Sequence, residues 1–232
     1  MNTKNTLIIG YGEIGKSLEK VLWDYTPSIV GKEGIIKGTF QEQIDIMHIC
    51  FSYSKEFEKE VIKYQDKYKP TYTVIHSTVA IGTSRKLNAI HSPVIGIHPH
   101  LEESLTTFVK YLSGEKASEV ADYFRRVGMK VYLFDNQETT ELLKICDTTH
   151  YGLEIEYYKE IKRLCKKYNV PFEAWTLWIR NYNLGYKLLG YPEYCKPELT
   201  PIMTEIKGHC VLPNCEFLDN DFTKLIKKLN EK

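Results

Sequence analysis

The sequence predicts an α/β fold in two parts, a parallel sheet carrying helices followed by an all-helical half that pairs subunits. Three observations predict it. Over the first half, short apolar β-branched runs alternate with charged amphipathic segments, the pattern of strand–helix–strand units. A glycine-rich turn joins the first run to the first amphipathic segment. From Gln137 to Tyr168 there is no proline and the only glycine is Gly152, while Leu142, Ile145, Leu153, Tyr157, Ile161 and Leu164 recur at helical spacing.

In chain order, strands are expected at Thr6–Ile9, Ser28–Val30, Asp45–Phe51, Tyr72–His76, Pro93–Gly96, Phe108–Leu112 and Lys130–Phe134. Helices are expected at Ile14–Asp24, Lys55–Lys67 and Ala117–Val127, the last stopped by Gly128 in a left-handed cap. The stretch from Gln137 to Tyr168 would span about 48 Å as one helix, longer than a domain of this size needs. Such a helix buries its sides against further helices or a second subunit, which predicts a homodimer. Pro171 opens another helix through Trp175, Trp178 and Tyr182, and the remainder, rich in proline, glycine and aromatics, reads as irregular. The expected domains are therefore 1–136, the α/β half, and 137–232, the helical half.

Composition narrows the partners. In 232 residues, Lys and Arg number 31 against 30 Asp and Glu, so the net charge of +1 argues against a dedicated nucleic-acid binder. Apolar residues at 43% are too many for a disordered chain, yet no apolar run is long enough to span a membrane. The opening Met-Asn-Thr-Lys leads into no secretory signal, and six cysteines without paired spacing read as reduced thiols. The expectation is a cytoplasmic globular protein with a small-molecule partner, neither nucleic acid nor membrane.

The glycine-rich turn names the ligand class. Gly10-Tyr11-Gly12-Glu13-Ile14-Gly15 places G-x-G-x-x-G after a strand and before a helix, the fingerprint of a Rossmann dinucleotide site. Gly10 makes the tight turn, Gly12 admits a pyrophosphate to the backbone, and Gly15 lets helix and strand pack closely. The cofactor expected is NAD or NADP. Where a ribose-binding acid usually ends the second strand stands Lys32, with Glu33 next. A cation there suits a 2′-phosphate; the alternative is a solvated lysine with Glu33 in the acid's place. Too few residues separate this strand from Asp45 for a full crossover helix, so the adenosine side is expected to be abbreviated.

Several segments in order resemble the UDP-glucose/GDP-mannose dehydrogenases. Asp45-Ile-Met-His-Ile-Cys-Phe51 resembles the family's fourth Rossmann strand, and His76-Ser-Thr78-Val-Ala-Ile-Gly82-Thr its Ser-Thr-Val-Pro-Val-Gly-Thr turn. Glu138-Thr-Thr-Glu141-Leu-Leu-Lys144 is similar to the Glu-x-x-Glu-Leu-x-Lys start of its central helix. Lys207-Gly208-His209-Cys210-Val-Leu-Pro213 resembles its Gly-Gly-His-Cys-Ile-Pro loop, whose cysteine is the nucleophile. The resemblance implies a nicotinamide-binding half with Phe51 and Thr78 at the cofactor. It also implies a helical dimerisation domain of the 6-phosphogluconate-dehydrogenase kind. Thr148 stands where the family has a catalytic asparagine, and His98-Pro99-His100 replaces its Asn-Pro-Glu. The family's C-terminal nucleotide-sugar-binding domain has no counterpart here, so the chain reads as a truncated form.

Chemically, Cys210 and Lys144 suit oxidation of an alcohol through the aldehyde to an acid. A thiolate attacks the aldehyde, the thiohemiacetal gives up a second hydride, and water hydrolyses the thioester. A nearby lysine or His209 would favour the thiolate, Lys144 would stabilise the oxyanion, and Thr78 would hold a water or the substrate hydroxyl. The plain alternatives are a buried structural thiol at Cys210 and a solvated helix lysine at Lys144. Gly96-Ile97-His98-Pro99 also resembles the Gly-x-His-Pro segment of prephenate dehydrogenases, which makes His98 the acid–base group of a two-electron oxidation. His98, His100, Cys210 and Cys215 lack zinc-ligand spacing, so no metal is expected. A non-catalytic dinucleotide-binding protein stands as the remaining alternative.

Overall fold

The structure is a computed structural model that describes residues 5–39, 43–208 and 210–231. In chain order the α/β elements are β1 (Thr6–Ile9), α1 (Glu13–Val21), β2 (Ser28–Gly31), β3 (Gly34–Lys37), β4 (Ile46–Ile49), α2 (Phe57–Tyr68) and β5 (Tyr72–Ile75). They continue with α3 (Thr83–Lys86), β6 (Ile90–His91), α4 (Leu101–Thr107), β7 (Val109–Ser113), α5 (Ala117–Arg126) and β8 (Lys130–Phe134). The helices that follow are α6 (Thr139–Lys167), α7 (Phe172–Leu188), α8 (Val211–Cys215) and α9 (Asp221–Asn230).

The described strands form one sheet in the order β3-β2-β1-β4-β5-β6-β7-β8. β2, β1, β4, β5 and β6 run parallel, which sets their carboxyl ends along one edge. All residues of β1 and β4 are buried, as expected of central strands covered on both faces. On one face Leu18 of α1, Leu105 of α4 and Val120 and Phe124 of α5 pack on Ile8, Ile29, Ile46 and Val74. On the other, Phe57 and Val61 of α2 pack on Leu7, Ile9, Met47 and Ile75. Each such side chain, fully buried, contributes roughly 1.5–3 kcal/mol. The α/β fold is thus the one expected, with two reversals: β3 is antiparallel to β2, and β7 to β6.

The chain divides into two compact units, 1–144 and 145–232, so the contact boundary falls inside α6 rather than ahead of it. In the second unit Val211, Cys215 and Ile226 form a small core with Leu153, Ile206 and Leu212. Gly152 has a packing reason: a Cβ there would stand 2.5 Å from Val211 Cγ1. Asn183 of α7 ties the returning chain, its Nδ2 donating to the Lys196 carbonyl and its Oδ1 accepting from the Lys196 amide, both at 2.8 Å.

Several expectations need correction. Pro93–Gly96 is not a strand; the strand is β6, immediately before it. Proline has no N–H to give the ladder, and the carbonyls of Ser92 and Pro93 accept instead from Lys110 Nζ, at 2.6 and 3.3 Å. The region read as irregular contains α8 and α9. Asn220 caps α9, its side chain accepting from the Thr223 amide at 2.9 Å, a capping box visible in Asn-Asp-Phe-Thr. Between Ser28–Gly31 and β4 the chain turns back at Lys32-Glu33 into β3, where a crossover helix would usually stand.

Candidate functional site

The geometry of the glycine-rich turn follows from what a side chain would meet at each glycine. Gly10 has φ 95°, and a Cβ there would stand 3.0 Å from the Cys50 carbonyl carbon and the Phe51 amide. A Cβ on Gly15 would stand 2.0 Å from the Gly10 carbonyl oxygen, so no other residue fits between β1 and α1. Around a Cβ on Gly12 nothing lies within 4 Å. Two glycines are therefore required by packing and the third borders open space, which is where the backbone of a Rossmann turn meets a pyrophosphate. Gly12 is the N-cap of α1 and supplies no side-chain cap, so the first amides of the helix remain available to an anion.

Tyr11 and Ile14 flank that turn. Tyr11 folds back on α1, its hydroxyl donating to Glu19 at 2.5 Å, and Glu19 also takes Lys37 Nζ of β3 at 2.5 Å. The Lys37 bond, ahead of the Tyr11 bond, holds the Glu19 carboxyl below its ordinary range. Ile14 is half-buried on the core shared with Tyr25 and Val21. On the adenosine side, Lys32 and Glu33 form the exposed tip of the β2–β3 hairpin. Ile36 lies over Gly31, its Cδ1 2.6 Å from where a Cβ would be, so no acid occupies the end of β2.

The next strand ends complete this edge. Phe51 follows β4 and packs against Phe57 and Tyr64, with ring centroids 5.0 and 6.2 Å away. Ser77 Oγ donates to the Phe51 carbonyl at 2.5 Å, and half-buried Thr78 comes next. His98, in the loop after Gly96, is exposed and places Nδ1 2.6 Å from Glu13 Oε2 in the first turn of α1. The structure therefore brings His98 to the glycine-rich turn, through a residue of the motif itself.

The Glu138–Lys144 motif divides its labour. Arg85 clamps Glu138 with two bonds of 2.5 and 2.9 Å. Glu141 is fully buried and accepts from the amides of Gly82 and Ser84 at 2.6 and 2.7 Å. Burial outweighs those bonds and raises its carboxyl above the usual range. Both glutamates thus fix the start of α6 on the turn that carries Thr78, while Lys144 stands half-buried one turn further. The Lys144 charge contributes to the lowered pKa values of His91 and Lys110, behind burial.

Thr148 and Cys210 belong to the second unit. Thr148 is buried on α6, one turn beyond Lys144. Cys210 is exposed at the head of α8, so the buried structural thiol is not what the chain has there; Cys215, five residues on, is the buried one. His209 lies outside the described residues. His100 pairs with Glu103 at 3.5 Å, and among the described residues no group of three or more His, Cys, Asp or Glu gathers as a metal site would need.

What sequence reasoning missed is a buried polar row beneath this edge: His48, His76, His91 and Lys110 are all buried in the sheet core. Their signal was polar residues at the inward positions of otherwise apolar strands.

Comparisons with known proteins agree with this architecture. No family model matches the chain, and no curated protein matches it by sequence. Solved structures do match. A UDP-D-ManNAc dehydrogenase from Pyrococcus horikoshii superposes with a TM-score of 0.76 at 17% identity, covering 98% of this chain and 68% of its own. A 3-hydroxyisobutyrate dehydrogenase from Mycobacterium tuberculosis superposes at 0.69 and 10% identity, covering 99% and 93%. Psf3, solved in complex with NADP+, superposes at 0.58 and 14% identity, covering 97% and 93%. The chain thus spans about two thirds of the sugar-nucleotide enzyme and nearly all of the hydroxyacid enzyme. At these identities the likeness is one of fold, and the fold is a Rossmann-type sheet followed by a helical domain.

Proposed function

We propose that this chain is an NAD- or NADP-dependent dehydrogenase that oxidises a hydroxyl group of a small, sugar-like or hydroxy-acid substrate. The observation that carries the reading is the glycine-rich turn. Gly10 and Gly15 are packed beyond substitution, and Gly12 faces open space at the head of α1, on the edge where the chain departs to opposite sides of β1. When bound, the dinucleotide supplies the hydride acceptor. The solved neighbours named as dehydrogenases, one with a sugar nucleotide in its name and one with a hydroxyacid, support the substrate class.

The chain's own residues then divide the work. His98 donates Nδ1–H to Glu13, which leaves Nε2 to take the proton of the substrate hydroxyl as the hydride departs. Lys144, held by the Glu138 and Glu141 anchors, stabilises the developing alkoxide. Gly12 and the first amides of α1 hold the diphosphate, and Lys32 at the hairpin tip meets a 2′-phosphate or the ribose. A second reading rests on the exposure of Cys210: an accessible thiol suits the covalent four-electron route, in which it captures the aldehyde.

The helical half supports a homodimer. Tyr157, Leu177, Trp178 and Leu188 stand exposed on α6 and α7, more apolar surface than a solvated helix carries. Among the described residues no helix is long and apolar enough to cross a membrane. The test is titration with NAD(H) and NADP(H), followed by a screen of hydroxy acids, sugar alcohols and sugar nucleotides for reduced nicotinamide. Failure to bind either dinucleotide at millimolar concentration would overturn the dehydrogenase; binding without turnover of any alcohol would leave a dinucleotide sensor.

A further inference from the structure

The buried polar row forms one continuous hydrogen-bonded chain across the sheet. Thr6 Oγ1 lies 3.1 Å from Tyr123 OH, and that hydroxyl lies 3.1 Å from His48 Nε2. His48 Nδ1 lies 2.9 Å from His76 Nε2, and His76 Nδ1 lies 3.1 Å from Lys110 Nζ. These side chains come from β1, α5, β4, the residue that follows β5, and β7, all on the face covered by α5. At one end, Thr6 lines a surface pocket with Asn5, Tyr25 and Ser28 at the amino edge. At the other, Lys110 of β7 lies beneath the carboxyl edge, bound to the Ser92 and Pro93 carbonyls, with β4, β5 and β6 between its strand and β1, which leads into the glycine-rich turn. A core needs none of this, because apolar side chains would fill the space without the cost of desolvating five polar groups.

We propose that Thr6, Tyr123, His48, His76 and Lys110 are a proton relay through the sheet, which works by reversal of every bond in the chain. With Lys110 protonated, its ammonium donates to His76 Nδ1, His76 Nε2–H donates to His48 Nδ1, and His48 Nε2–H donates to Tyr123, whose hydroxyl donates to Thr6. With Lys110 neutral, every donor becomes an acceptor: Thr6 donates to Tyr123, Tyr123 to His48 Nε2, His48 Nδ1–H to His76 Nε2, and His76 Nδ1–H to Lys110 or the Ser92 carbonyl, which lies 3.1 Å away. Passing from the first state to the second moves one proton from Lys110 to His76 Nδ1, one from His76 Nε2 to His48 Nδ1, one from His48 Nε2 to Tyr123, and one from Tyr123 to Thr6. Thr6 releases its own proton at the amino edge. Neither imidazole is doubly protonated at rest, and no atom is left over.

The surroundings suit such a chain. Burial lowers the His48 pKa to about 3 and holds His76 well below its ordinary value, so both rings are neutral. Burial lowers Lys110 to about 7; buried Cys50 opposes that shift and the Lys144 charge adds to it. Among the described residues the other elements around Lys110 bring no countercharge: β8 pairs Val131 with it, α5 presents Tyr123 and Phe124, and His91 of β6 is neutral. α4 buries Leu101, Ser104 and Leu105 and keeps Glu102 and Glu103 exposed. Use of the relay in catalysis rests on the dehydrogenase reading, in which every hydride taken from an alcohol leaves a proton to be removed. The relay itself does not.

The experiment is nitrogen NMR of the full chain labelled at histidine, across pH 5.5 to 9 and without ligand. Expected is a joint tautomer change of His48 and His76, from Nε2–H to Nδ1–H, with one midpoint near pH 7 and no imidazolium signal from either ring. Lys110→Met, which keeps the volume and removes the amine, is expected to hold both rings as Nδ1–H throughout. Fixed tautomers of His48 and His76 in the wild type, a change in one of these rings alone, or an imidazolium at either of them would overturn the relay. Should Lys110→Met fail to fold, the wild-type titration alone decides. A relay with no dinucleotide binding would overturn the enzyme reading while leaving the relay standing.

Discussion

His98 Nδ1 lies 2.6 Å from Glu13 Oε2, so a residue of the glycine-rich motif orients the imidazole that stands beside it. Glu13 is the first residue of α1, where a carboxylate is favoured by the helix dipole and can act as a fixed acceptor. The pairing turns Nδ1 to Glu13, and in the proposed reaction Nε2 is the base. His98→Ala is expected to lower kcat by about 10²–10⁴-fold with dinucleotide affinity unchanged, and Glu13→Gln by a smaller factor. If Cys210 carries a covalent oxidation instead, Cys210→Ser stops the reaction at the aldehyde and alkylation of the thiol abolishes turnover. Counting hydrides per substrate molecule decides between the two: one for His98, two for Cys210.

Gly12 and Gly15 should separate binding from folding. Gly12 has φ −78° and open space around its missing Cβ, so Gly12→Val should keep the melting temperature while removing dinucleotide binding. Gly15→Val places a carbon against the Gly10 carbonyl and should destabilise the first unit by several kcal/mol, as overpacking and strain do. Thermal melts and a fluorescence titration of the two variants check this. Retained binding in Gly12→Val would show that the open space is not the diphosphate site.

Lys32 offers a specificity test. It stands exposed at the tip of the hairpin, and Gly31 under Ile36 leaves no acid at the end of β2. Lys32→Asp is expected to shift the NADP-to-NAD affinity ratio toward NAD by tenfold or more. An unchanged ratio would return Lys32 to the solvated surface.

The parts of this molecule legible in its sequence are those governed by local rules. The strand–turn–helix at Gly10–Gly15, the helix α6 and its glutamate anchors each show as a short pattern whose physics is contained in the pattern. The hairpin at Lys32 was visible only as a shortage of residues, because Lys-Glu is not a usual two-residue turn and Gly31 and Gly34 flank it from outside. The strand expected at Pro93–Gly96 failed on one missing N–H, with Lys110 taking the freed carbonyls from 17 and 18 residues away, a separation that no local window contains. The polar row from Thr6 to Lys110 is the extreme case: its members are far apart in the chain, and each alone looks like a misplaced polar residue. His98 reached the glycine turn by the same long-range route, through Glu13.

The same buried groups dictate how stability depends on pH. Burial holds the His48 and His91 pKa values at about 3, against 6.5 for a free imidazole, and Lys110 at about 7 against 10.5. All three folded-state values lie below the unfolded ones, so in each window the unfolded chain binds a proton that the folded chain does not, and stability rises with pH. From pH 6 down to pH 4 His48 and His91 should each cost about 1.4 kcal/mol per pH unit, and His76, held low by the same burial, adds to that slope. From pH 7.5 up to pH 10 neutral Lys110 should add about 1.4 kcal/mol per unit. Urea midpoints at fixed ionic strength measure both slopes. Lys110→Met should remove the alkaline slope and leave the acid one, since the imidazoles stay buried without the lysine. A wild-type profile that is flat from pH 4 to pH 6 would mean that His48 and His91 take up protons in the folded chain, and that water reaches the row this structure encloses.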